Sequence, residues 1–108
     1  MLDTSQMTDN SLVEAYVSGN NQAFDELLRR HQTKLFAYIM RIVNDADIAD
    51  DIFQETFVKV ITNIRQRRYV DTGKFSAWLM RIAHNIIIDH FRQIKAEKTV
   101  STDDENSI

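Results

Sequence analysis

The side chains best suited to chemistry with another molecule gather between Arg67 and Lys95. Arg67, Arg68, Tyr69, Val70, Asp71 and Lys74 lie in or beside a glycine-containing turn that runs straight into a periodic segment. Along that segment Arg81, Asn85, Ile88, Arg92 and Lys95 recur at helical spacing on one side, with His84 on its flank. Guanidinium and ammonium groups hold phosphates, a carboxamide both donates to and accepts from a base edge, and an aromatic ring stacks. Together at a loop–helix junction, these groups suit a nucleic-acid surface. Asn85 facing only water is the plain alternative. Trp78 lies between this face and the apolar one, as a core anchor or a stacking platform.

A second pattern stands on the preceding segment. Ala49, Phe53, Phe57, Val60 and Ile64 form one apolar stripe, and Ile48 and Ile52 lie on a separate flank that a second neighbour must cover. Asp51, Gln54, Glu55 and Val58 face away from the stripe. An apolar valine among acidic and amide groups marks a patch that receives another protein. The plain alternative is a solvated face with one stray valine.

Other chemistries fail on spacing. Asp45, Asp47, Asp50 and Asp51 begin like a calcium loop but lack the glycine at its sixth position. There is no HExxH, no glycine-rich phosphate loop and no nucleophile elbow. His84 and His90 are six residues apart and point to different sides of a helix. His31 has no second ligand type at its i+4 position and reads as a packed or surface histidine. With no cysteine, disulfides and thiolate metal sites are excluded. The expectation is a non-enzyme with no catalytic residues, metal or cofactor.

These faces need elements to hold them. The 108 residues suffice for one domain with a modest core. No apolar run reaches the roughly 18 residues of a membrane span, and the start lacks the order of a secretory signal, so a cytoplasmic location is expected. The net charge of −3 conceals an asymmetry: residues 1–58 hold four basic and ten acidic side chains, residues 59–98 nine and three. Two halves of opposite sign should meet different partners, unless both are simply solvated.

Punctuation and period predict four helices, over residues 11–18, 22–43, 46–65 and 74–95, in one compact all-α bundle. Ser11 and Glu14 have capping-box spacing, Gly19 closes the first helix, Asn20 or Asn21 caps the second, and Asn44–Asp45 breaks it. In the second helix Phe24, Leu27, Leu28, Leu35, Ile39 and Ile42 form the stripe. Phe24, Leu28, Phe36, Phe53, Phe57, Val60, Phe75, Leu79, Ile82 and Ile86 are the predicted core. Residues 1–10 are expected to form a disordered lead, 11–97 the domain, and 98–108 a polar linker or tail.

The residues also carry a resemblance. Ala23-Phe24 with Leu27, then Asp45, Ala49-Asp50-Asp51-Ile52, Gln54-Glu55-Thr56-Phe57, Trp78-Leu79 and Arg81-Ile82-Ala83-His84-Asn85 resemble the second conserved region of bacterial sigma factors. The match is closest to the small extracytoplasmic-function group, over residues 11 to 97. It implies a helical unit that holds RNA polymerase core and opens the promoter −10 element. On that resemblance, Asp51, Gln54 and Glu55 match contacts to the β′ clamp helices, with Val58 beside them. The loop from Tyr69 to Lys74 matches the pocket for a base flipped from the non-template strand, and Asn85 a position near that base. Basic positions of the last helix match phosphate contacts. The resemblance further implies an anti-sigma partner, and a −35-reading domain that this chain does not include. A helical protein-binding adaptor without DNA function is the alternative reading.

Overall fold

The computed structural model describes residues 3–66 and 74–106, with side chains as far as Glu97. A one-turn 3-10 helix, Thr4–Gln6, leads into α1 (Asp9–Val17), α2 (Asn21–Val43), α3 (Ala46–Arg65) and α4 (Phe75–Asn106). No strand occurs among the described residues. The all-α expectation holds.

Local chemistry explains the breaks. Asn20 caps α2, its Oδ1 accepting from the Gln22 amide at 3.1 Å. Asn44 ends α2 in the left-handed region at φ 53, which asparagine tolerates. Asp45 then caps α3, its Oδ1 accepting from the Asp47 and Ile48 amides at 2.9 and 3.2 Å. Gly19, at φ 109, makes the α1–α2 turn in a conformation that costs other residues strain.

Two boundaries differ from expectation. Thr8, not Ser11, has its side chain at the cap of α1, Oγ1 accepting from the Ser11 amide at 3.1 Å, so the helix starts earlier. At the other end, the backbone of α4 continues to Asn106, where a linker or tail was expected.

α2 packs on α1, α3 and α4, and α4 lies across α2 and α3 together. Because α4 faces two neighbours, its buried arc is Phe75, Leu79, Ala83, Ile86 and Ile87. Ala83 is fully buried, and Ile82 turns to the margin. Phe24, Leu28, Phe36 and Phe53 are likewise half-buried around the centre instead of forming it. Leu12, Leu27, Leu35, Ile39, Val60, Ile64, Leu79 and Ile87 fill the centre. Ile42, one turn beyond Ile39, is 39% exposed, so the α2 stripe stops a turn short. Ile52 does find its second neighbour and is buried.

Three of these half-buried aromatics form a continuous seam with the buried Tyr16 and Phe57. Tyr16 meets Phe24 at 5.2 Å, Phe24 meets Phe57 edge-on at 6.0 Å, and Phe57 meets Phe53 at 5.1 Å. Phe53 then meets Phe36 at 5.9 Å. These separations lie in the favourable range for tilted and edge-to-face pairs. The seam ties α1 to α2 and α3.

A charged cluster holds the lead segment, which was expected to be disordered. Glu26 is buried and accepts from Arg29 at 3.0 and 2.6 Å and from Arg30 at 2.8 Å. Arg30 also reaches Asp9 at 3.2 Å and the carbonyls of Thr4 and Ser5 at 3.0 and 3.2 Å. His31 is packed, its Nε2 3.2 Å from Asp9 and its ring 5.3 Å from Phe75.

Hydrogen bonds from Arg29 and then Arg30 hold the Glu26 carboxyl well below its ordinary 4.5, at about 2, against the opposing effect of burial. A folded-state value below the unfolded one stabilises the fold above pH 4.5, and that contribution is lost as pH falls through about 2. Thermal unfolding across that window should therefore show a steeper fall for the parent chain than for Glu26→Gln, which has no proton to take up. Parallel curves would remove Glu26 from the acid response.

Candidate nucleic-acid and protein interfaces

The buried stripe of α3 dictates what its outer side presents. Thr56 is fully buried at no polar cost, because its Oγ1 donates to the Ile52 carbonyl at 2.7 Å. With that side closed, Asp51, Gln54, Glu55 and Val58 all stand exposed, within an arc of about 100° on the helix. Val58 is 61% exposed, well beyond the other large apolar side chains that reach solvent. Gln54 is held by its own helix, Nε2 donating to Asp50 at 2.9 Å.

Two recesses border this ridge, and sequence periodicity had not indicated either. Between α2 and α3 a recess of about 730 Å³ is lined by Phe36, Ala37, Met40 and Phe53, with Gln32, Arg41 and Asp50 at its polar margin. The half-buried positions of Phe36 and Phe53 create it. On the other side, Asp51 and Glu55 share a cleft of about 140 Å³ with Asp89, His90 and Gln93 of α4. The ridge is therefore acidic on its α4 side and apolar on its α2 side.

α4 turns the opposite side of its core arc outward. Its start is marked by the Lys74 carbonyl, which accepts from the Trp78 amide at 3.1 Å. Lys74, Arg81, Asn85, Arg92 and Lys95 are all exposed along one stripe. Ile88, half-buried, interrupts it. Trp78 is half-buried with its ring 5.7 Å from Phe75, so it anchors the stripe to the core and still reaches the surface. His84 is exposed, with Nδ1 3.1 Å from the Tyr38 hydroxyl, which leaves Nε2 for an outside partner. Arg92 approaches Asp89 only to 4.0 Å, and both are largely exposed, so the pair is weak.

The structure thus brings Lys74, Trp78, Arg81, His84, Asn85, Arg92 and Lys95 together. Arg67, Arg68, Tyr69, Val70 and Asp71 lie outside the described residues. An acidic ridge and a basic stripe occupy different helices of one bundle, and opposite charge selects different partners for each. No helix among the described residues is long and apolar enough to cross a membrane.

Comparison with known proteins gives the family. A family profile described as Sigma-70 region 2 matches residues 27–97. The RNA polymerase sigma-H factor of Pseudomonas aeruginosa is 37% identical over 86 residues, 80% of this chain and 44% of that protein. The ECF RNA polymerase sigma-E factor of Haemophilus influenzae is 39% identical over 80 residues, 74% of this chain and 41% of that protein. The ECF RNA polymerase sigma factor SigM of Bacillus subtilis is 30% identical over 79 residues, 73% of this chain and 47% of that protein. The chain spans about half the length of the curated relatives it matches. The all-helical fold and the matched residues agree, and the chain belongs to the Sigma-70 region 2 family, within the extracytoplasmic-function sigma factors.

Proposed function

We propose that this chain acts as the promoter-recognition module of a bacterial RNA polymerase, binding the core enzyme through α3 and the −10 element through α4. The observation that carries this reading is the separation of the two faces. Asp51, Gln54, Glu55 and Val58 form an acidic, partly apolar ridge, whereas Lys74, Arg81, Asn85, Arg92 and Lys95 form a basic stripe on a different helix.

Each face has the chemistry its partner needs. The ridge offers carboxylates and an amide to basic and polar groups of the β′ clamp helices, and Val58 supplies apolar contact. The stripe offers cations to phosphates and one carboxamide to a base edge. Opening a duplex costs stacking and pairing, which new stacking and hydrogen bonds to exposed bases offset. Residues 67–73, with Arg67, Arg68 and Tyr69, follow α3 in sequence and add side chains of the same chemistry. Because the chain as a whole is acidic, polymerase supplies most of the affinity and free duplex DNA is bound weakly. An anti-sigma protein is a further partner of such a module, covering one or both faces.

Glu55→Lys tests the polymerase face. Substitution at an exposed site changes stability by no more than about 0.5 kcal/mol. Reversing a charge within the contact should weaken binding to polymerase core by about tenfold or more, which is about 1.4 kcal/mol. The measurement is a titration of labelled core, with circular dichroism confirming the helical fold. A folded Glu55→Lys chain that binds core as tightly as the parent would remove α3 from the interface.

A further inference from the structure

His31 joins three helices at the point where α4 begins. Its side chain is only 11% exposed, and Nε2 lies 3.2 Å from Asp9 Oδ2 on α1. An ionised carboxylate only accepts, so Nε2 carries the proton and the imidazole is held in one tautomer. The other oxygen, Asp9 Oδ1, accepts from Arg30 Nη1 at 3.2 Å, and Arg30 Nη2 donates to the carbonyls of Thr4 and Ser5. Asp9 is therefore itself fixed. The imidazole ring lies 5.3 Å from that of Phe75, which is 2% exposed and 5.7 Å from Trp78.

We propose that His31, oriented by Asp9, is a positioning residue for strand binding, seating the first turn of α4 through Phe75 and Trp78; this rests on the reading of α4 as the −10 surface. The first turn of a helix frays most readily, because its leading amides have no acceptor within the helix. Phe75 is the first residue of α4, and Lys74, Trp78 and Arg81 of the outward face lie within two turns of it. Their direction depends on how Phe75 is seated.

A hydrocarbon ring at position 31 would bury similar area, and nothing polar would set its plane. The hydrogen bond to Asp9 sets the plane of the imidazole, and with it the surface on which Phe75 rests. Asp9 begins α1, and α1 carries no residue of the ridge or the stripe. The packing thereby gives α1 and its lead a part in strand binding without contact to the strand.

His31→Phe separates these two roles, since it keeps a ring against Phe75 and removes the donor to Asp9. Trp78 is the sole tryptophan of the chain, so its emission reports the seat of α4 directly. The strand measurement uses the chain bound to polymerase core and a fluorescently labelled non-template −10 strand. His31→Phe should keep the unfolding midpoint and core binding, move Trp78 emission to longer wavelength, and weaken strand binding by about fivefold. Asp9→Ala should weaken the strand as well, and adding it to His31→Phe should cost little more, because both remove one hydrogen bond.

Arg81→Ala serves as the reference on the α4 stripe. If Arg81→Ala weakens the strand and His31→Phe does not, the positioning role is overturned while the α4 reading stands. If neither variant changes strand binding, both fail. A His31→Phe chain that loses stability, core binding and strand binding together would make His31 a packing residue only and also overturn the proposal. Weaker strand binding with unchanged Trp78 emission would overturn it too, because the effect would not pass through the start of α4.

Discussion

Asn85→Ala is expected to reduce base discrimination by about 1–3 kcal/mol, the range for a good side-chain–base pairing. Asn85 stands exposed midway along the basic stripe, one turn from Arg81, and is the carboxamide at its centre. A carboxamide presents a donor and an acceptor side by side, whereas the flanking arginines and lysines present only donors. On the proposed reading the cations set position and salt dependence, and Asn85 reads sequence. Binding of non-template −10 strands varied one base at a time, with polymerase core present, measures the preference. Arg92→Ala should by contrast weaken all strands about equally and flatten the salt slope. An Asn85→Ala chain that keeps the parental base preference would move the reading residue elsewhere, to residues 67–73 first.

Leu79→Ala is expected to destabilise the fold by about 2–5 kcal/mol, the range for emptying a fully buried leucine site. Leu79 is fully buried on α4, directly beneath the stripe that carries Trp78 and Arg81. Most of a small domain's net stability lies between about 5 and 15 kcal/mol, so the loss is a large share of it. Both faces should then weaken together, because α4 packs on α3 and α2 and all three are positioned by the same core. Urea unfolding followed by circular dichroism gives the stability, and core and strand binding give the function. If Leu79→Ala leaves the unfolding midpoint unchanged, the helix is not seated as described. Loss of strand binding alone, with stability retained, would count against this coupling of the two faces.

Local chemistry was sufficient to determine the helices and their outward faces. Asn20, Asn44, Asp45 and Gly19 act within a few residues of themselves, through caps and turn conformations, so their effects could be read in order along the chain. The same is true of the ridge and the stripe. Once the apolar period places Phe57 and Val60, or Leu79 and Ile86, toward the core, geometry turns Gln54 and Val58, or Arg81 and Asn85, to the outside. The family resemblance drew on those same local patterns, and the comparisons agree with it.

What only the tertiary structure decided depends on residues far apart in sequence. Period alone could not choose Ala83 over Ile82, because that choice follows from α4 meeting both α2 and α3. Nor could it bury Glu26, an acid in a helix of mixed charge, since burial needs Arg29 and Arg30 together, with Arg30 also fastening the lead through Asp9 and the carbonyls of Thr4 and Ser5. The order of the lead ahead of α1 follows from that cluster. Tyr16 and Arg65 are 49 positions apart, and nothing local joins them. Hydrophobic period is a property of one helix and is visible in its sequence. A polar partnership between helices is a property of the packing, and it exists only once the core has set both side chains within hydrogen-bonding reach.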